Sequence, residues 1–218
     1  MQVKVGQEMR PSPDWISPIP YWLHHAAMLK GILPRSGEWL FEKREFQEWQ
    51  TSSAGPSLVL WLRGIPGSGK NRLIACAIEH LKEHLFNHGL SDFAYFYCLR
   101  SGAETERSNP EEVIRSILRQ LAFEKEPISQ MKPAIQFQYM RKEELSRREG
   151  HPIEMFSRGE IISMLADICK VTTTTIIIDA LDELEWTQRG YLFDTFEAIH
   201  DAMKKCESEG IVRLLMST

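Results

Sequence analysis

Residues 58–70, which read LVLWLRGIPGSGK, are the segment that most constrains the fold of this chain. Five apolar residues run directly into a glycine-rich stretch that ends in a lysine, and the segment RLIACAIEHL follows shortly after. This order predicts a β-strand, a tight turn and an α-helix, the arrangement in which backbone N–H groups surround the phosphate tail of a nucleotide. Glycines suit such a turn because a Cβ atom would obstruct the approach of the backbone to phosphate. The alternative is a turn that serves only to pack the helix on the strand.

The predicted nucleotide-binding residues are Gly64, Ile65, Pro66, Gly67, Ser68, Gly69, Lys70, Asn71 and Arg72. We expect Lys70 to reach the outer phosphates, and the helix N-terminus that follows adds a positive dipole end and unpaired N–H groups. Position 71 departs from the usual pattern, because Asn71 stands where a Ser or Thr hydroxyl would bind Mg²⁺. An amide oxygen can also bind Mg²⁺, so Asn71 is a predicted metal ligand as well. The motif therefore predicts phosphate binding with weakened hydrolysis.

A second candidate segment, residues 172–186, reads TTTTIIIDALDELEW. Its β-branched run ends at Asp179, which places a carboxylate at the end of a buried strand, where it can hold Mg²⁺, usually through water. Asp182 and Glu183 follow three and four residues later, and one of them can orient or deprotonate an attacking water. We therefore predict Asp179 as a metal ligand and Asp182 and Glu183 as catalytic residues. The alternative is an acidic turn that caps the next helix.

The composition narrows the class of protein. The chain has 218 residues, of which 43% are hydrophobic, and its formal net charge of −4 argues against a nucleic-acid-binding surface. No stretch approaches the roughly 20 apolar residues that a membrane helix needs, and the N-terminus has no apolar signal region. The four cysteines form no CxxC pair, which is typical of reduced cysteines in an intracellular, cytoplasmic protein.

Four β-rich runs, residues 58–62, 93–98, 173–178 and 212–216, alternate with helical segments. This alternation predicts an α/β fold with parallel strands and crossover helices. The clearest helix covers residues 111–121, preceded by Asn109 as its cap and by Pro110. We expect three regions: an extended lead-in over residues 1–20, a helical lead-in over residues 21–55, and the α/β core over residues 56–218.

The lead-in region contains several aromatic residues. Phe46 and Trp49 are three residues apart, which predicts that they share a helix face. Trp39 is expected to be a core anchor rather than a platform on which a nucleotide base stacks.

GIPGSGK together with IIIDALDE resembles the NACHT-type P-loop NTPases of the STAND class, the signal-transduction ATPases with numerous domains. The spaced acidic pattern D-x-x-D-E is the specific mark of that resemblance. Residues 36–40 with Phe46 and Trp49, and the helix segment Arg119-Gln120-Leu121, look like the nephrocystin-type N-terminal NTPase module that is frequent in fungal proteins.

The resemblance implies a strand order of 1-4-3-2, in which residues 211–218 form a sensor strand between the phosphate-loop strand and the Asp179 strand. It also implies a fifth strand and lid domains that would follow Thr218, so the chain resembles a truncated or excised module. In the family the lead-in around His24 and His25 neighbours the site of the nucleotide base.

The function that follows from these patterns is a switch module of a signalling NTPase, which binds ATP or GTP with Mg²⁺ and hydrolyses it weakly or not at all. Its expected partners are the nucleotide, other proteins contacted through the missing domains, and further copies in a nucleotide-dependent oligomer, with no nucleic acid and no membrane. A non-catalytic interaction scaffold with a degenerate phosphate loop is the alternative. A P-loop kinase fits the acidic pattern less well.

Overall fold

A computed structural model describes residues 13–53, 55, 57–88, 91–124, 130–206 and 209–218. Residues 1–12 of the expected extended lead-in lie outside the described residues. The elements in chain order are α1 (Pro13–Ile16), α2 (Tyr21–Leu29), α3 (Glu38–Phe41), α4 (Arg44–Thr51), β1 (Ser57–Leu62), α5 (Lys70–His88), β2 (Ser91–Tyr97), α6 (Pro110–Leu121), α7 (Pro133–Glu149), α8 (Arg158–Val171), β3 (Thr173–Asp179), α9 (Trp186–Lys205) and β4 (Val212–Ser217). Short 3₁₀ helices cover Thr105–Ser108 and Leu181–Glu183.

The four strands form one parallel sheet in the order β1-β4-β3-β2, which confirms the predicted α/β fold and strand order. Each strand coincides with a predicted β-rich run to within two residues at either end. Because all strands run in the same direction, the C-terminal ends of β1, β3 and β4 lie at the same end of the sheet. The glycine-rich turn, which follows β1, and Asp179, which ends β3, therefore lie at that end.

Helices cover both faces of the sheet, because successive residues of each strand point to opposite sides. In β3, Ile176 and Ile178 pack with α6, α8 and α9 in the larger hydrophobic core. Ile177, between them, packs on the other face against α4 and α5. Because both faces of β3 are buried, its three isoleucines stand next to one another instead of alternating with exposed polar residues.

The predicted helix start at Asn109 is confirmed. The Asn109 side chain accepts a hydrogen bond from the Glu111 backbone N–H, and Pro110 is the first helical residue. Phe46 and Trp49 lie on one face of α4 and are both buried, as their spacing predicts.

The stretch expected to be extended before residue 21 contains one helical turn, α1. It is fixed to α6 by Arg119, whose guanidinium donates to the Ser17 carbonyl and forms an ion pair with Asp14 at 2.6 Å. The same guanidinium lies over the Trp22 ring, 5.1 Å from its centroid. These contacts hold the lead-in against the core, so it is a packed part of the fold and not an extended linker.

The two edges of the sheet differ. On the β2 edge, the Gln120 side chain bonds to both the N–H and the carbonyl of Tyr95, at 3.0 and 2.8 Å, and Arg107 donates to the Tyr97 carbonyl. On the β1 edge, Val59 and Trp61 are 56% and 44% exposed. Side chains of α6 and its preceding turn therefore take the place of a neighbouring strand at β2, whereas β1 is hydrogen-bonded to β4 alone among the described strands.

Among the described residues, no helix has the length and apolar character that crossing a membrane requires.

Candidate functional site

The glycine-rich turn between β1 and α5 has the conformation that its sequence requires. Gly67 and Gly69 have φ angles of +78° and +84°, a region that residues with a Cβ atom rarely adopt. A Cβ atom on Gly64 would lie 2.9 Å from Ser68 Oγ and 3.4 Å from Lys70 Cδ. The turn from Gly64 to Gly69 is exposed throughout, so its backbone is accessible to a ligand.

Lys70 is the first residue of α5, and its side chain folds back over the turn. Its Nζ donates to the carbonyls of Gly64 and Ile65, at 2.6 and 3.0 Å. The ammonium group is thereby held on the loop rather than extended into solvent. A phosphate that bound to the loop would meet this charge together with the unpaired N–H groups of the first helical turn.

Asn71 and Arg72 follow on the exposed first turn of α5. Arg72 donates to the Gly31 carbonyl at 3.2 Å, which ties the loop after α2 to the start of α5. Asn71 lies beside Lys70 in the chain, at the position where its amide oxygen was predicted to serve as a metal ligand.

Asp179 ends β3 and is completely buried. Its Oδ1 accepts a hydrogen bond from the Ser217 hydroxyl, whereas its Oδ2 has no hydrogen-bond partner among the described residues. Burial raises the pKa of Asp179 to about 6, although the hydrogen bond from Ser217 and the neighbouring Ala180 N–H both lower it. The neighbouring charge of Asp182 raises this pKa further, and that of Lys70 lowers it.

The end of β4 links the two halves of the site. The Gly64 N–H donates to the Thr218 carbonyl at 3.3 Å, and the Thr218 N–H donates to the Leu62 carbonyl at 3.1 Å. On the other side, Ser217 bonds to Asp179 and receives the Ala180 N–H at 2.8 Å. Ser217, the last residue of β4, and Thr218, which follows it, therefore connect the glycine-rich turn with the acidic strand.

Asp182 and Glu183 lie in the 3₁₀ helix after β3, and the structure gives them different surroundings. The Glu183 carboxylate accepts the Arg100 N–H at 3.0 Å, and the Arg100 guanidinium donates to the Glu183 carbonyl at 3.1 Å. Asp182 is exposed, and its backbone carbonyl accepts from Arg189. Glu183 thus holds the loop that follows β2, while the Asp182 carboxylate faces solvent.

A cleft of about 310 Å³ lies between the lead-in and the start of α5. The lead-in approaches α5 closely because Gly37 has no side chain: a Cβ atom there would lie 2.9 Å from Leu73 Cδ1. The cleft is lined by lead-in residues and by residues of the turn and α5, namely Gly31, Ile32, Leu33, Ser36, Gly37, Trp39, Ser68, Gly69, Arg72, Leu73 and Cys76. Its position next to Ser68 and Gly69 makes it continuous with the glycine-rich turn.

The expectation that Trp39 is a core anchor is wrong. Trp39 is 53% exposed and lines the cleft, because α3 is a single turn that presents Leu40 rather than Trp39 to the core. His25, by contrast, is buried: its ring nitrogens bond to the Tyr97 hydroxyl at 2.8 Å and to Glu79 at 2.7 Å, so it fixes α2 to the core.

Two residues of the site, Ser217 and Arg100, were not singled out from the sequence. Ser217 is separated from Asp179 by 38 positions and Arg100 from Glu183 by 83, so neither pairing has a local signature. A polar residue that directly follows the buried run LLM at the end of β4 was the available signal for Ser217.

The four-stranded parallel sheet in the order β1-β4-β3-β2, with helices on both faces and a glycine-rich turn after its first strand, places the chain in the class of P-loop-like α/β proteins. Family comparison is more specific. The model of the family described as nephrocystin 3, N-terminal, matches residues 35–218, and the chain belongs to that family. No curated protein and no solved structure matches the chain.

Proposed function

We propose that this chain is a nucleotide-binding switch module, which binds ATP or GTP together with Mg²⁺. The observation that carries the proposal is the exposed turn from Gly64 to Gly69, with two left-handed glycines, at the end of the sheet where β3 finishes in the buried Asp179 carboxylate. A triphosphate needs backbone donors and a cation on one side and a carboxylate for its magnesium on the other. The two halves of the site supply these groups.

The phosphates would be held by the N–H groups of the turn and of the first turn of α5, with Lys70 turning from the Gly64 and Ile65 carbonyls to the outer phosphates. Arg72 already bonds to Gly31, so its role in our proposal is to hold the lead-in against the bound nucleotide. The cleft beside Trp39 has the size of a small-molecule site and would take the nucleoside. An aromatic ring at its wall offers a stacking surface for a base.

The residues present fit a magnesium ion. Oδ2 of Asp179 is a buried carboxylate oxygen that has no partner within the described part of the chain, and a nearby cation or its bound water would stabilise it. Asp179 and the amide oxygen of Asn71 are the proposed ligands, and magnesium in such sites is usually bound by one or two carboxylates together with the phosphates. When bound, it would neutralise charge on the phosphates.

Hydrolysis is proposed to be weak or absent. Asn71 is a poorer ligand than an ionisable hydroxyl, and the Glu183 carboxylate is already engaged by the Arg100 N–H. Asp182 is therefore the proposed residue that orients the attacking water, since its carboxylate is exposed near Asp179.

Within the nephrocystin 3 N-terminal family, we propose that this chain is a NACHT-type STAND NTPase of the kind found in fungal proteins. Bound nucleotide would then be coupled to conformation and to protein partners through further domains, in a cytoplasmic setting. The D-x-x-D-E pattern at Asp179, Asp182 and Glu183 supports this class.

A non-catalytic interaction scaffold is the second candidate. The observation that favours it is Asn71, in the place of the hydroxyl that normally binds magnesium. In that case the glycine-rich turn would serve the packing of α5 on β1, and nucleotide affinity would be negligible.

Calorimetric titration of the chain with ATP and with GTP, each with Mg²⁺ and with EDTA, separates the two candidates. We expect binding that Mg²⁺ strengthens, and single-turnover assays in which Asn71→Ser raises the rate about tenfold, because a hydroxyl restores the usual metal ligand. Saturating nucleotide that produces no heat and no shift of the melting temperature would favour the scaffold.

A further inference from the structure

Ser217, the last residue of β4, occupies a place between the two halves of the site. It is completely buried, and its Oγ bonds to two groups of the neighbouring strand end: the Asp179 carboxylate and the Ala180 N–H. Neither bond belongs to the ladder between β3 and β4. The hydroxyl therefore contacts Asp179 and Ala180, the residues that join β3 to the 3₁₀ helix.

The direction of both bonds is fixed by the chemistry of the groups. The Ala180 N–H can only donate, so Ser217 Oγ accepts from it at 2.8 Å. An ionised carboxylate can only accept, so the single proton of the hydroxyl points to Asp179 Oδ1. A serine hydroxyl has one proton, and both of its bonding directions are thus set by its neighbours.

This arrangement leaves the two oxygens of Asp179 unequal. Oδ1 is engaged by Ser217, whereas Oδ2 is buried without a hydrogen-bond partner among the described residues. The backbone at the same point is also constrained, since Ala180 has a left-handed φ of +56° and its N–H is held by the same hydroxyl. One side chain therefore fixes both the carboxylate and the turn that follows it.

We propose that Ser217 is a positioning residue for the magnesium of the bound nucleotide: by engaging Oδ1 of Asp179, it leaves Oδ2 as the oxygen that faces the metal or its water. This inference rests on the proposed function. Thr218 extends the effect to the phosphates, because its carbonyl receives the Gly64 N–H and its N–H bonds to the Leu62 carbonyl. The end of β4 thus sets the position of the carboxylate relative to the glycine-rich turn.

The test compares nucleotide affinity with Mg²⁺ and with EDTA in the full chain, using whichever of ATP and GTP binds the wild type more tightly. Ser217→Ala removes the hydroxyl. Ser217→Cys keeps a side chain of similar size but replaces the hydroxyl by a thiol, a weak donor and acceptor. Ser17→Ala is the matched control: Ser17 is also completely buried, and its hydroxyl also accepts a backbone N–H, from Ile19 at 3.4 Å.

We expect both Ser217 variants to lose about tenfold of the strengthening that Mg²⁺ gives, which is the usual effect of a hydrogen bond to a charged group. Their affinity in EDTA should equal that of the wild type, and Ser17→Ala should match the wild type under both conditions. A purely structural role would lower the melting temperature without changing the ratio of the two affinities.

The proposal is overturned if a folded Ser217 variant keeps the wild-type response to Mg²⁺, or if the wild type binds nucleotide equally well in EDTA. The second result would leave nucleotide binding itself intact. If the wild type binds neither ATP nor GTP under any condition, the proposed function itself is refuted. That result requires no variant, so it is distinguishable from a failure of the Ser217 proposal.

Discussion

Asp92 and Asp179 are both buried in the sheet, at opposite ends of parallel neighbouring strands, and their surroundings differ. Asp92, near the start of β2, is 8% exposed; its Oδ2 accepts from the Lys132 ammonium and, at 2.9 Å, from the Thr172 hydroxyl. Asp179, at the end of β3, has the neutral Ser217 hydroxyl on one oxygen and no partner on the other among the described residues.

Buried charge therefore has different surroundings at the two ends of the sheet, and these surroundings imply different roles. Where a buried carboxylate is paired with a lysine, removing either partner leaves the other charge uncompensated and lowers the stability of the folded state. A buried carboxylate with an open oxygen destabilises the folded state until a cation reaches it. Asp92 is thus expected to matter for stability and Asp179 for ligand binding.

The largest effect is expected for Asp92→Asn, which leaves the Lys132 ammonium buried without its counter-charge. The free energy of unfolding should fall by about 3 kcal/mol, the usual result of breaking a buried pair on one side. Urea unfolding measures this, and nucleotide affinity should not change. Asp167→Asn, at an exposed pair with Lys170, is the control and should alter stability by less than about 0.5 kcal/mol. Equal stability of the two variants would contradict the assignment.

Lys70→Ala should abolish measurable nucleotide binding, with an affinity loss of about a hundredfold or more, because the charge-assisted bonds to the outer phosphates disappear. Its melting temperature should equal that of the wild type, since the bonds that Lys70 makes to Gly64 and Ile65 lie at an exposed loop. Lys82→Ala, on the same helix but paired with Glu79, is the control. Wild-type affinity in folded Lys70→Ala would refute the site.

Asp179→Asn should remove about tenfold of Mg²⁺-dependent nucleotide affinity and, without nucleotide at pH 7, melt no lower than the wild type. Burial raises the pKa of Asp179 to about 6, above the value of about 3.9 in an unfolded chain. A raised pKa means that this group favours the folded state at low pH, and that its contribution is lost as the pH rises through 6. The melting temperature should therefore change less between pH 4 and 8 in the variant than in the wild type. A marked loss of stability at pH 7 would show instead that Asp179, like Asp92, stabilises the fold.

The smallest effects are expected at the 3₁₀ helix. Glu183→Gln weakens the bond from the Arg100 N–H and should lower the unfolding free energy by about 1 kcal/mol. Asp182→Asn should leave stability within about 0.5 kcal/mol of the wild type, because the side chain is exposed, and should lower any residual hydrolysis without weakening binding. If both variants lose only stability, the segment is an acidic cap and not part of a hydrolytic site.

The division between what the sequence predicts and what it leaves open follows from the range of the interactions. The glycine-rich turn, the α6 cap at Asn109 and the apolar run of β3 depend on neighbours within a few residues, so their patterns predict them directly. The strand order came from the family resemblance, not from the pattern of apolar residues.

The finer parts of the site depend on contacts that only the folded chain creates. The pairing of Ser217 with Asp179, the bond from Arg100 to Glu183 and the pairing of Lys132 with Asp92 join residues 38, 83 and 40 positions apart. The exposure of Trp39 has a different cause: in a single-turn helix, one residue of rotation decides which side chain faces the core. Neither long-range pairing nor such a small rotation leaves a periodic signal in the sequence.

The Gln120 amide on the β2 edge has a consequence for how copies of this sheet can associate. By bonding to both backbone groups of Tyr95, it occupies the positions that an incoming strand would need, and Arg107 does the same at the Tyr97 carbonyl. Growth of a continuous sheet through many molecules requires two free edges on each. With β2 blocked, strand pairing between copies cannot continue from molecule to molecule, so edge-to-edge contact would not extend into a fibre.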